Sequence, residues 1–145
     1  MNSITSNVTV RRKTLRTRIS NRIAKSSKAA FVPEDFKDLG GYDQVLRVLR
    51  VLRSEDRLIR LGYGIYVKAR TSKLSQRVII DSPAGFAGVA REALNKLGVD
   101  WRPTDAEIDY NKGLSTQIPV NPVVNIRGRF SRKISYGDRE LVCAR

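Results

Sequence analysis

Residues 31–67 read FVPEDFKDLGGYDQVLRVLRVLRSEDRLIRLGYGIYV, and the order of signals in this stretch decides the fold. Phe31-Val32 is a brief extended piece. Pro33 suits the first turn of a short second helix, with Glu34 and Asp35 favourable at its positive end and Phe36 and Leu39 as its buried edge. Gly40-Gly41 breaks that helix and offers backbone freedom for a tight turn. At about 100° per residue, Val45, Val48, Leu49 and Leu52 share one side of a third helix running from about Tyr42 to Ser54. Asp43, Arg47, Arg50 and Ser54 face away, with Gln44 and Val51 on one flank and Arg53 on the other. Leu58-Ile59-Arg60-Leu61 and Ile65-Tyr66-Val67-Lys68 are β-favouring runs around Gly62-Tyr63-Gly64, the pattern of a hairpin. Helix, turn, amphipathic helix and hairpin in that order predict a winged helix-turn-helix, with the Arg47 face as the recognition surface and the hairpin as the wing.

Upstream, Leu15, Ile19 and Ile23 recur every four residues from Thr14 to about Ser27, the spacing of an amphipathic helix that Thr14 can cap. Residues 1–13 carry no apolar period and end in Arg11, Arg12 and Lys13, which predicts a basic arm. Downstream, residues 71–76 read as a polar linker. Val78 to Ile80 reads as a strand, Gly85 to Leu97 as a helix stopped by Gly98, and Val99-Asp100-Trp101 as extended chain. The tail alternates short apolar runs with Arg-Gly and Gly-Asp turns. The expected class is α+β: an arm over 1–13, a winged helix-turn-helix over 14–70, and a small α+β module with antiparallel strands over 78–145.

Composition narrows the function. The net charge is +14 with a pI near 10.6, which points to a polyanionic partner. Residues 1–77 hold 18 Lys+Arg against 6 Asp+Glu, whereas residues 78–145 hold 10 against 8, so the front half is expected to bind nucleic acid. Arginine outnumbers lysine, which suits bidentate contacts to phosphate or guanine. The chain has no histidine and a single cysteine, Cys143, which excludes a zinc finger and an internal disulfide and removes the commonest general base. No cofactor or metal is expected. No apolar run reaches the length of a membrane span and no signal-peptide pattern opens the chain, so a cytoplasmic protein is expected.

The expected DNA contacts are Tyr42, Asp43, Gln44, Arg47, Arg50 and Val51 on the recognition helix, and Arg60, Tyr63, Lys68 and Arg70 on the wing. Arg11, Arg12, Lys13, Arg16 and Arg18 extend them along the arm and first helix. Arg47 or Arg50 has the geometry to read guanine, and Gln44 adenine.

From Leu15 to Val67 the chain resembles the AbiEi-type antitoxin regulators of type IV toxin-antitoxin systems. The likeness lies in Ile19 to Ile23, Phe31-Val32-Pro33-Glu34-Asp35-Phe36, Asp38-Leu39-Gly40, Val45, Leu49, Leu52, and Leu58-Ile59-Arg60-Leu61-Gly62-Tyr63-Gly64-Ile65-Tyr66. Gly113-Leu114-Ser115-Thr116-Gln117-Ile118-Pro119 is similar to a segment of that family's following domain. The resemblance implies a winged helix that binds operator repeats in its own promoter and represses the operon. It also implies a C-terminal region that counters a nucleotidyltransferase-like toxin without forming a stable complex with it. The recognition helix departs from the family by opening Gly41-Tyr42-Asp43 where a serine-arginine pair is expected.

Two other classes stand against this reading. An RNA-binding or ribosome-associated basic module would share the charge, but lacks here a strand-borne aromatic pair for stacking bases. A metal-dependent nuclease would need Asp100, Asp105, Glu107 and Asp109 to converge; an acidic, solvated segment after Pro103 is the plainer account, and no enzymatic activity is expected. A homo-oligomer on repeated DNA fits the resemblance, although no heptad pattern marks a dimer interface.

Overall fold

The computed structural model describes residues 13–105, 108, 113 and 121–144. Arg11 and Arg12 of the arm, Glu107, Asp109 and most of the Gly113–Pro119 segment fall outside the described residues.

Helix α1 spans Leu15–Lys25, and Thr14 caps it, its Oγ1 accepting from the Thr17 N–H at 3.1 Å. Ile19 is fully buried and Leu15 and Ile23 pack beside it. Strand β1 (Ala30–Phe31) leads into a single 3-10 turn, Pro33–Phe36. The expected second helix is no longer than this turn. Lys37 and Leu39 N–H groups bond three residues back, to Glu34 and Phe36, which seats Phe36 in the core before the chain turns at Gly40.

Helix α2 spans Tyr42–Ser54 and begins at Gly41, whose φ of −67° is open to any residue. Gly40 supplies space, since a side chain there would meet both Cδ atoms of Leu15 at 3.2 Å, whereas a Cβ at Gly41 would meet nothing within 4 Å. Val45, Leu49 and Leu52 are buried and Val48 is half-buried, the face that the helical period predicts.

Strands β2 (Leu58–Gly62) and β3 (Ile65–Thr71) form an antiparallel hairpin, and β1 pairs with the other edge of β3, giving the order β1-β3-β2. A helix, a short strand, a turn, a second helix and a hairpin whose return strand lies between the other two is the arrangement of a winged helix-turn-helix. The hairpin turns at Tyr63-Gly64, where Gly64 takes a φ of 70° that other residues adopt only under strain.

Residues 71–77 do not separate two bodies. They turn the chain back on itself, with Ser72 N–H donating to Arg77 O, so that strand β4 (Val78–Ile80) pairs antiparallel with β3. Lys68 shows which edge β4 takes: its N–H donates to Ala29 O and its carbonyl accepts from Asp81 N–H, so β4 follows β1 along one side of β3. Helix α3 (Gly85–Lys96) then packs on β1, with Phe86, Val89, Ala90, Ala93 and Leu94 buried. Strands β5 (Asp100–Pro103), β6 (Val123–Arg127) and β9 (Val142–Ala144) make a second sheet in that order, and β7 (Ser135–Tyr136) and β8 (Arg139–Glu140) a small hairpin. Most ladders are antiparallel as expected, but β6 and β9 run parallel, Val124 opposite Cys143.

Strand alternation explains how one sheet serves two cores. Phe31, Leu58 and Tyr66 point to one face, where they join Ile19, Phe36, Val45, Leu49 and Leu52. Ala30, Leu61, Ile65 and Val67 point to the other, where they join Phe86, Val89, Leu94, Val124, Ile134 and Leu141. The unbroken apolar run Ile65-Tyr66-Val67 is the signature of a strand buried on both sides.

Polar contacts reinforce the join between the two cores. Glu92 on α3 accepts from the Ala29 and Ala30 N–H groups at 2.9 and 3.0 Å, which satisfies the open edge of β1. Asp35 accepts from Val32 N–H and from Lys96 of α3, both at 3.0 Å, in a half-buried ion pair. The helix-turn-helix is thereby fastened to the second half of the chain on one side of its sheet.

Candidate nucleic-acid interface

The apolar face of α2 is spent on the core, so its opposite face is fixed in solvent. Tyr42, Asp43, Gln44, Arg47 and Arg50 are exposed, and Val51 is 37% exposed on the flank. Arg47 and Arg50 stand one turn apart and make no ion pair or hydrogen bond through their side chains among the described residues. A guanidinium held that way keeps its donors available for an anion or a base edge. Asp43 sits in the first turn, where its charge complements the helix dipole but would meet phosphate with repulsion.

The expected wing residues divide between the tip of the hairpin and its base. Tyr63 is 61% exposed at the turn, and it lines one groove with Tyr42 (55% exposed) from the start of α2, together with Pro33, Glu34, Lys96 and Arg132. The first residue of α2 and the hairpin tip therefore border one groove. Arg60 is exposed on β2, its Nε donating to Gly62 O at 3.1 Å.

Lys68 and Arg70 lie at the other end of β3 from the tip. The Lys68 ammonium donates to Ser26 O at 2.8 Å just past the end of α1, where a cation also suits the dipole, and Arg70 pairs with Asp81 at 3.5 Å. They help line a separate groove between α1 and the hairpin base. The fold brings neither of them to the wing tip.

The basic residues of α1 divide in the same way. Arg16 is paired with Glu55 at the end of α2, whereas Lys13 and Arg18 are exposed and make no side-chain ion pair among the described residues, although the Arg18 charge helps to lower the Asp38 carboxyl. Arg22 holds Asp38 through two bonds of 2.6 and 2.8 Å and donates also to Asp35 O, bracing α1 against the turn before α2. That hydrogen-bonded guanidinium lowers the Asp38 carboxyl to about 2 from its ordinary 3.8, and the carboxylate raises Arg22 in turn.

The residue that sequence reasoning missed is Arg132. Its guanidinium lies 5.7 Å from the Tyr63 ring centroid and faces Tyr63 O at 3.5 Å, although 69 residues separate them. The signal was present in Arg127-Gly-Arg-Phe-Ser-Arg-Lys133, which holds four cations and no carboxylate, but it was diluted by the near balance of charge across residues 78–145. Of the acidic candidates, Asp100 lies on β5 and a helical turn begins at Asp105, with Ile108 N–H donating to Thr104 O, while Glu107 and Asp109 lie outside the described residues. No group of three or more potential metal ligands occurs among the described residues. Trp101 is held by structure, its Nε1 donating to Asn95 Oδ1 at 2.8 Å under the Arg91 guanidinium. No helix among the described residues is long and apolar enough to cross a membrane.

Neither the curated proteins nor the solved structures yield a match to this chain. A family profile matches residues 18–145, from the middle of α1 through both cores to the last residue, and the chain belongs to that family, described as a family of unknown function (DUF6088).

Proposed function

We propose that this protein is a sequence-specific, double-stranded DNA-binding transcriptional regulator that occupies a promoter and represses its own operon. The observation that carries the reading is the α2 surface: Gln44, Arg47 and Arg50 are exposed on a helix whose other side is locked into the core, and Tyr63 of the wing borders the same groove as Tyr42. In this reading α2 enters the major groove, with Arg47 and Arg50 reaching guanine edges and Gln44 adenine, while Tyr63, Arg60, Lys13 and Arg18 meet the backbone. The net charge of +14 supplies the non-specific, salt-dependent part of the affinity.

The resemblance to AbiEi-type regulators extends the proposal to operator repeats bound by more than one copy, in the cytoplasm, with no stable toxin complex. The rival partner is structured RNA, and the test is a direct competition. Labelled duplex selected from a random pool is challenged with unlabelled duplex of the same sequence, scrambled duplex, and structured RNA of equal length. Displacement by the selected duplex at concentrations where scrambled duplex and RNA do not compete is the expected result. Preferential displacement by RNA would replace this reading with the RNA-binding one.

A further inference from the structure

The run Arg127 to Lys133 places four cations within seven residues, all exposed, in the half of the chain whose overall charge is nearly balanced. Its position in the fold is unusual for a loop of a second core. The Lys133 carbonyl oxygen lies so close to Gly62 on β2 that a Cβ there would fall 2.3 Å from it, and Arg132 stacks on Tyr63 at the wing tip. Arg127, Arg129 and Arg132 line one groove adjoining this contact, with Asp100 as the carboxylate on its wall. The backbone contact at Gly62 and the ring contact at Tyr63 hold the segment as a lateral extension of the wing.

We propose that Arg129, Arg132 and Lys133 form a second, phosphate-reading finger beside the wing, gripping the backbone of the same duplex that α2 enters. The inference rests on the proposed binding of duplex DNA and adds to it a contact surface from the C-terminal half. Phosphate is the favoured ligand because these cations sit on a loop beside the hairpin and not on the helix proposed to enter the groove, the placement of a backbone contact. Arg132 has a second task, since its stack on Tyr63 sets the angle of the wing tip. The finger adds affinity without adding sequence information.

The test is the salt dependence of duplex binding by the whole protein, comparing wild type with Arg129→Gln/Lys133→Gln and with the charge-preserving Arg129→Lys/Lys133→Arg. Both positions are exposed, and a thermal unfolding curve matching wild type verifies each fold. Two lost phosphate contacts lower the slope of log K against log salt by about 1.8, at about 0.9 per contact, and weaken selected and scrambled duplex by the same factor. The charge-preserving variant keeps the wild-type slope. An unchanged slope in the glutamine variant, with wild type binding duplex normally, overturns the finger alone. A loss confined to the selected duplex overturns the phosphate assignment, and failure of wild type to bind any duplex overturns this inference together with the reading beneath it.

Discussion

Arg47 and Arg50 on α2 stand in solvent with no acidic partner among the described residues, whereas Arg16, Arg22 and Arg70 on α1 and β3 are each held by a carboxylate. All five belong to the basic front half of the chain. The difference lies in what surrounds them. Glu55 ends α2, Asp38 lies in the turn before it and Asp81 follows β4, so cations facing them brace the fold, while the solvent face of α2 carries Asp43 alone, a turn away from Arg47. A guanidinium already bonded to carboxylate must break that pair to meet phosphate. Net charge therefore counts cations that the fold already holds, and the proposed binding surface is drawn from those left without a carboxylate.

The comparison breaks first at the core side of α2. Leu49 is fully buried beneath the face that carries Arg47, so Leu49→Ala is expected to cost about 2–5 kcal/mol of stability, read as a shift in the denaturant midpoint. Arg50→Ala, on the opposite side of the same helix, is expected to leave that midpoint within about 0.5 kcal/mol. Equal losses would mean that the exposed face is also structural. Next, Gly62→Ala forces the Lys133 carbonyl away from β2 and is expected to cost about 1–3 kcal/mol while altering the Tyr63 environment in near-ultraviolet spectra.

Smaller effects belong to the paired cations. Arg70→Ala is expected to change stability by about 0–1 kcal/mol, because the Arg70 and Asp81 side chains are both half-exposed, and to leave duplex affinity close to wild type. A large affinity loss there would move the hairpin base into the interface. For Asp38 the sign follows from its lowered carboxyl. The native state holds the proton less tightly than the unfolded chain, so the contribution of the Arg22 pair is full above its ordinary value of 3.8 and is lost as pH falls through about 2. The difference in stability between wild type and Asp38→Asn should shrink across that window, and a difference independent of pH would contradict the role of the pair.

Local signals in the sequence carried the helix-hairpin unit well. The period of Val45, Leu49 and Leu52, the Gly40-Gly41 break and the Thr14 cap act within a turn or two of chain, and the structure reproduces α2 with the bounds they imply. The second helix was overread because Phe36 and Leu39 fit a helical edge that a single 3-10 turn satisfies equally. The membership of β4 was hidden: three residues bear no mark of which sheet they join, and only the Ser72 to Arg77 turn returns them to β3. The same holds for Glu92 on the edge of β1 and Arg132 on Tyr63, where the decisive neighbours are more than sixty residues away in sequence. For the candidate site, the exposed face of α2 was legible from helical geometry, while the pairing states of Arg16, Lys68 and Arg70 depended on tertiary partners.

Sequence reading by the α2 face, as proposed, stands or falls on the affinity ratio of Arg47→Ala. Binding to a duplex selected by the wild-type protein and to a scrambled duplex is measured at one salt concentration. The ratio of the two affinities is expected to fall by about 1–3 kcal/mol in Arg47→Ala, roughly a factor of thirty at the middle of that range, while scrambled-duplex binding changes little. An equal loss on both duplexes, with the ratio preserved, would make Arg47 a phosphate contact and contradict the claim.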